Sequence, residues 1–208
     1  MSSTRLTADA RRQQILDVAI DVFGRSGYYG SSMNDIAEAA GVTKPVLYQH
    51  FSSKRDLFIE LLDEIGAELR STIAKATADA AGPRQQIEQG FRAYFAFVEE
   101  STDAFRVLFG SGARRDPEFA SIARAVEQSI AETIAELIVV EGEPAPQRLV
   151  LAHGLVGMTE AASRYWLAHE REPGVDELAT QLSQLAWSGL RGIRTPGGTG
   201  GPDAFGDV

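Results

Sequence analysis

Apolar residues recur along the chain at the three-to-four-residue spacing of amphipathic helices, and nowhere in the alternating order of strands. Ile15, Val18, Ala19, Val22 and Phe23 form one such face, which ends near Ser26-Gly27. Met33, Ile36, Ala37 and Ala40 form a second, opened by Ser32, with Asp35 three positions on to close a capping box. Gly41 stops that helix, because glycine tolerates the left-handed conformation needed past a helix end. Thr43 is a good cap for the next helix, and Pro45 fits its first turn. Ser53 and Asp56 predict another capping box, at the head of a long helix through Leu57, Phe58, Leu61, Leu62, Ile65, Leu69 and Ile73.

The short helix after Thr43 has two unlike sides. Leu47 and Phe51, one turn apart, are its anchors to the core, whereas Pro45, Val46 and Gln49 lie opposite, flanked by Tyr48 and His50. A turn of about three or four residues sets two helices roughly perpendicular, the arrangement that places one of them in the major groove of DNA. In that setting the outermost residues meet base edges and the flanking ones meet phosphates. Lys44, Pro45, Val46 and Gln49 are then base contacts, and Tyr48 and His50 phosphate contacts; Lys44 on a phosphate is the other option. Ordinary helical corners share this geometry, so residue chemistry alone leaves a structural reading open beside DNA binding.

The run Ile15 to Phe58, ILDVAIDVFGRSGYYGSSMNDIAEAAGVTKPVLYQHFSSKRDLF, resembles the N-terminal signature of the tetracycline-repressor-type (TetR/AcrR) transcriptional regulators along nearly its whole length. The resemblance implies an all-α fold: a three-helix DNA-binding head, a fourth linking helix, and a helical body that dimerises and binds a small effector which lowers DNA affinity. It places Ser32 at a hydroxyl position that touches phosphate and Thr43 to Val46 at the base-reading start of the recognition helix. Tyr48 and His50 fall on its phosphate-binding positions, and Lys54 on the phosphate-binding lysine that begins helix four. Where the family often has a second aromatic after the tyrosine, this chain has Gln49, which can pair bidentately with adenine.

Charge complicates this picture. The formal net charge of the 208 residues is -9, yet residues 1–60 hold 7 Lys/Arg and 7 Asp/Glu, so the whole negative excess lies beyond them. A neutral head attracts phosphate only modestly. Specific binding is therefore expected to depend on Arg5, Arg11, Arg12, Lys44, Lys54 and Arg55 placed locally, with plain surface charge the alternative for Arg11-Arg12. No run of about 18 apolar residues and no signal-peptide pattern occurs, which predicts a soluble cytoplasmic protein with no membrane partner. The absence of cysteine excludes disulfides, thiolate metal sites and cysteine nucleophiles.

Breaks at Ala81-Gly82-Pro83, Gly110-Ser111-Gly112, Glu141 to Pro146 and Glu172-Pro173-Gly174 divide the rest into helices, about nine in all with the head. The expected organisation is a disordered arm over 1–7, a helix-turn-helix domain over 8–56, a helical effector-binding and dimerisation domain over 57–194, and a disordered Gly/Pro-rich tail over 195–208. Phe91, Tyr94, Phe95, Phe105 and Phe109 are either solid core or an aromatic pocket for an apolar or aromatic effector. In the second case Met158, Tyr165 and Trp166 form its far wall, and Arg92 or His153 is a polar hook, though a structural hydrogen bond is the commoner role for His153.

Small residues beside leucines mark Pro146 to His169 and Val175 to Leu190 as closely packing helices. By family analogy these make a four-helix dimer interface through Leu149, Val156, Thr159, Leu178, Leu182 and Leu185; packing within one subunit is the alternative. A dimer suits the task, since two recognition helices related by a dyad read a palindromic operator in double-stranded DNA. His50, His153 and His169 lack metal-site spacing, and no catalytic arrangement or cofactor motif is present, so an enzyme is not expected. A ligand-responsive repressor is the favoured function. An all-helical small-molecule or lipid carrier without DNA binding is the rival, and it leaves the Pro45-Val46-Gln49 face unexplained.

Overall fold

The computed structural model describes residues 7–138 and 145–193. The arm through Leu6, including Arg5, the part of the third body break up to Pro144, and the tail lie outside the described residues. Ten helices follow in order: α1 (Ala8–Gly30), α2 (Met33–Ala39), α3 (Lys44–His50), α4 (Lys54–Thr77), α5 (Pro83–Glu100), α6 (Thr102–Phe109), α7 (Ser111–Arg115), α8 (Pro117–Leu137), α9 (Ala145–Ala168) and α10 (Val175–Arg191). No strand occurs among the described residues. The helix beyond the expected nine is α7, a single turn formed where Gly110-Ser111-Gly112 read only as a break.

The helices sort into two compact units: one of residues 1–68 and 100–126, the other of residues 69–99 and 127–208. In the first, α1 is interrupted at Gly27, whose φ of 70° is the left-handed turn expected at its end. The complete capping box of Ser32 and Asp35 opens α2, and Gly41 at φ 64° ends the turn after it. Met33, Ile36, Ala37, Ala40, Leu47 and Phe51 are all buried, as are Leu57, Phe58, Leu61, Leu62 and Ile65 from α4. The periodicity therefore named most of the core of the head; of the face expected on α1, Ile15, Ala19 and Phe23 are buried and Val18 and Val22 half-buried.

It did not show that α6, α7 and the start of α8 belong to the same unit. α6 packs on α1 and buries Phe105, Val107, Leu108 and Phe109 there. Tyr28 and Phe58 meet Phe119 of α8 with ring centroids 4.8 and 4.7 Å apart, and Phe23 stands edge-on to Phe58 at 5.0 Å. This aromatic cluster ties α1, α4 and α8 together, each ring adding burial and a favourable edge or tilted contact.

The second unit packs α5, α9, α10 and the later parts of α4 and α8. Its core includes Leu69, Ile73, Phe91, Phe95, Val98, Ile130, Ala152, Val156, Trp166, Leu178 and Ala186. Trp166 donates its indole N–H to the Pro173 carbonyl at 2.7 Å, which fixes the turn between α9 and α10. Unlike the other long helices, α9 hardly segregates its apolar from its polar positions: Val156 and Trp166 are buried, while Val150 and Tyr165 lie exposed on it.

Candidate nucleic-acid interface

The short α3 owes its position to its back. Leu47 is wholly buried and Phe51 is 3% exposed, so the opposite side must face solvent. Lys44, Pro45, Tyr48 and Gln49 are exposed, and Val46 and His50 half-buried. Pro45 sits in the first turn, where its missing N–H leaves no bond unmade. Thr43 occupies the cap position, but its hydroxyl makes no capping hydrogen bond. Ser32 is exposed at the start of α2, its hydroxyl donating to the Asp35 carboxylate at 2.8 Å. Thr43, Lys44, Pro45, Tyr48 and Gln49 are thus exposed within one short segment, with Val46 and His50 half-buried among and after them.

The cations near this face are less available than their sequence positions suggest. The Lys54 ammonium donates to the carbonyls of Tyr28 at 2.7 Å and Ser31 at 2.9 Å and lies 4.2 Å from the Tyr28 ring centroid. Two of its three protons thus hold the end of α1, so its first role is in the fold. Arg12 pairs with Glu60 and covers the Phe51 ring at 5.0 Å, and Arg11 donates to Gln14 at 2.6 Å.

Arg55 is spoken for as well. It grips Asp116 with two parallel bonds of 2.8 and 2.9 Å, reaches Glu118 through Nε at 2.9 Å, and stacks 4.7 Å from the Phe119 centroid. Both carboxylates strengthen its hold on its proton, and in return Arg55 holds Asp116 below the ordinary carboxylate value, helped by the Glu118 and Phe119 N–H groups that Asp116 caps. Burial among the rings pushes the Tyr28 phenol upward. The start of α4 also differs in detail from the expected capping box: Ser53 accepts from the Asp56 N–H at 3.0 Å, but the Asp56 carboxylate takes its bond from the Ser52 hydroxyl.

The residues expected in the body scatter. Phe91, Tyr94, Phe95 and Trp166 are buried in the second unit, with Met158 half-buried, while Phe105 and Phe109 are core of the first. Tyr165 is 65% exposed and stacks on His169, because α9 turns it away from Trp166; it is not an inner wall. Arg92 is exposed opposite Asp176 at 3.9 Å, and His153 bonds Gln128 at 2.9 Å, so neither is a buried hook. Of the residues expected between subunits, Val156, Thr159 and Leu178 are filled into the protomer's own core, Leu149 and Leu182 are half-buried, and Leu185 is 60% exposed. Sequence reasoning missed Asp116 and Glu118 as partners of Arg55; the Asp-Pro-Glu order at 116–118, a helix start with a capping acid, was the signal available.

A helix-turn-helix whose second helix is anchored at its back and open at its front defines a DNA-binding regulator of the all-helical kind. Residues 15–61 match the family of bacterial regulatory proteins of the tetR type, and residues 83–189 the tetracyclin repressor-like C-terminal domain. The chain belongs to the tetR family of transcriptional regulators. It is 34% identical over 187 residues to the HTH-type transcriptional activator FasR of Mycolicibacterium smegmatis, covering 89% of this chain and 85% of that one. A TetR-like transcriptional regulator from Rhodococcus sp. RHA1 superposes with a TM-score of 0.76 at 30% identity, over 91% of this chain and all of that one. The regulator FadR from Bacillus subtilis, solved in complex with stearoyl-CoA, shares the fold with a TM-score of 0.74 at 18% identity, over 85% of this chain and 98% of that one. Among the described residues no helix is long and apolar enough to cross a membrane.

Proposed function

We propose that the protein acts in the cytoplasm as a homodimer that reads a palindromic DNA operator through α3 and releases it when a small, mostly apolar effector occupies the helical body. The observation that carries this reading is the pairing within α3 of a buried Leu47 with exposed Lys44, Pro45 and Gln49. Thr43 to Val46 and Gln49 meet base edges and Ser32, Tyr48 and His50 meet phosphates, while Lys54, at the family's phosphate-binding position, acts by holding the end of α1. Repression or activation then follows from where the operator lies relative to the promoter, and the relative FasR, matched over 89% of this chain, is named an activator.

Dimerisation uses the open side of α9 and α10. Val150, Tyr165 and Leu185 are 70%, 65% and 60% exposed, and a Cβ built on Gly154, Gly157 or Gly189 would meet nothing within 4 Å. Small residues among exposed apolar ones let a second copy approach closely. The interface is thus the outward neighbour of the face expected from the leucine pattern.

An acyl thioester is the first effector to test, because a regulator of this fold is solved with one. Selection of bound fragments from the host genome, followed by footprinting with and without stearoyl-CoA, tests the reading. Protection of a palindrome that fades as ligand is added is the expected result; failure to enrich any sequence sinks it.

A further inference from the structure

Three hydroxyls are gathered in the interior of the second unit. Tyr94 of α5 is 6% exposed, and Thr159 and Ser163 of α9 are 8% and 0% exposed. On α9, Thr159 and Ser163 lie among its buried residues, with Val156 before them and Trp166 after. Thr159 spends its proton on the Val156 carbonyl at 2.8 Å. The Tyr94 and Ser163 oxygens close no hydrogen bond of good geometry, although they lie near enough for the Ser163 and Thr159 hydroxyls to offset part of the rise that burial imposes on the Tyr94 phenol. A buried hydroxyl that closes no good hydrogen bond costs free energy, and each such group in a native interior calls for an explanation, of which a bound partner is one.

The surroundings restrict what that partner is. Glu160, 7% exposed, already pairs with Arg164 on the same helix, so the neighbourhood adds no unbalanced positive charge to receive an anion. Phe91, Phe95 and Trp166 supply apolar walls within the same unit. We infer that Tyr94 and Ser163 are the polar anchor of the effector site and receive an uncharged carbonyl, such as that of an ester or thioester, carried on an apolar chain. The inference rests on the proposed effector reading and sharpens it: the carbonyl is recognised by hydroxyl donors, and a free carboxylate is discriminated against because it would be stripped of water beside the carboxylate of Glu160.

Binding is measured by calorimetry on the full chain without DNA, using dodecanoyl-CoA, methyl dodecanoate, dodecanoate and CoA. Dodecanoyl-CoA and methyl dodecanoate, the two probes whose acyl carbonyl is uncharged, are expected to bind at least about tenfold more tightly than dodecanoate or CoA. Tyr94→Phe and Ser163→Ala should each weaken them about tenfold, the size of one lost hydrogen bond. Thermal unfolding of the same variants separates this role from a structural one: removing an unpaired buried hydroxyl should leave the midpoint unchanged or raised. Wild-type protein that binds neither acyl compound, dodecanoate that binds as well as its methyl ester, or variants that bind like wild type would each overturn the inference. Operator binding, assayed separately, bears only on the regulator reading, so the two fail independently. If only dodecanoyl-CoA binds, the thioester source is selected over neutral lipid esters and the anchor stands.

Discussion

Gly24 and Asp103 stand so close that a Cβ on Gly24 would lie 2.8 Å from the Asp103 Cα and 2.7 Å from its Cγ. Here α1 and α6 touch backbone to backbone, and any larger side chain must push them apart. Overpacking of this kind costs about 1–3 kcal/mol, whereas alanine returns about 1 kcal/mol of helix propensity over glycine. Gly24→Ala is therefore expected to lose up to about 2 kcal/mol in urea unfolding, and a variant more stable than wild type would show that α6 yields freely.

The ion pair of Arg55 and Asp116 carries a pH signature. Arg55 stays charged throughout, and Asp116 is held below its ordinary value of 3.8 in the folded protein. A carboxylate lowered in this way contributes stability above its unfolded value and loses it as pH falls through the folded one. Asp116→Asn should thus lower the thermal midpoint at pH 7 and flatten its decline below about pH 4. Parallel curves for the two proteins would mean the pair contributes nothing to folding.

The head was legible in the sequence because local rules govern it. Caps, one glycine turn and a 3.6-residue period fix α1 to α4: Leu47 and Phe51 are buried and Pro45 and Gln49 exposed as read, whereas Val18, Val22 and Val46 are half-buried. What escaped was long-range. Phe105 and Phe109 carry the same apolar face whether they line an effector pocket or pack on α1, and only the close approach permitted by Gly24 decides between them. The orientation of α9 was hidden for a related reason: its apolar and polar residues are spread around the helix, so periodicity cannot say whether Val156 or Val150 points inward.

Lys54 separates a structural cation from a DNA contact. With two protons on the Tyr28 and Ser31 carbonyls, Lys54→Ala frees two partly buried acceptors and should cost about 1.5 kcal/mol of stability. Its operator affinity should fall without much change in the salt dependence of what remains. A salt slope lower by about 1 at full stability would assign it to phosphate instead.

Tyr48 and Gln49 are neighbours with different tasks, and both are exposed, so neither substitution should disturb folding. Tyr48→Ala is expected to weaken binding to every sequence about equally. Gln49→Ala should instead relax preference at one base position, by about 1–3 kcal/mol of discrimination, and leave non-specific binding alone. Titrations against an operator and its single-base variants read both effects; identical profiles for the two would undo the division of contacts along α3.

The proposed interface makes a test in which stability and assembly part company. Leu185 is 60% exposed and nothing stands near Gly157, so Leu185→Glu or Gly157→Gln has no packing to disrupt inside the protomer. Surface changes of this sort move folding by no more than about 0.5 kcal/mol. In a dimer, the same changes bury a charge or wedge two helices apart, and dissociation follows. Sedimentation should therefore show monomers that keep their helical signal. Operator affinity should fall steeply, because a single α3 reads one half-site while the pair reads two about 34–36 Å or a multiple apart. If both variants stay dimeric, the subunits meet through another face and the assignment of α9 and α10 is overturned.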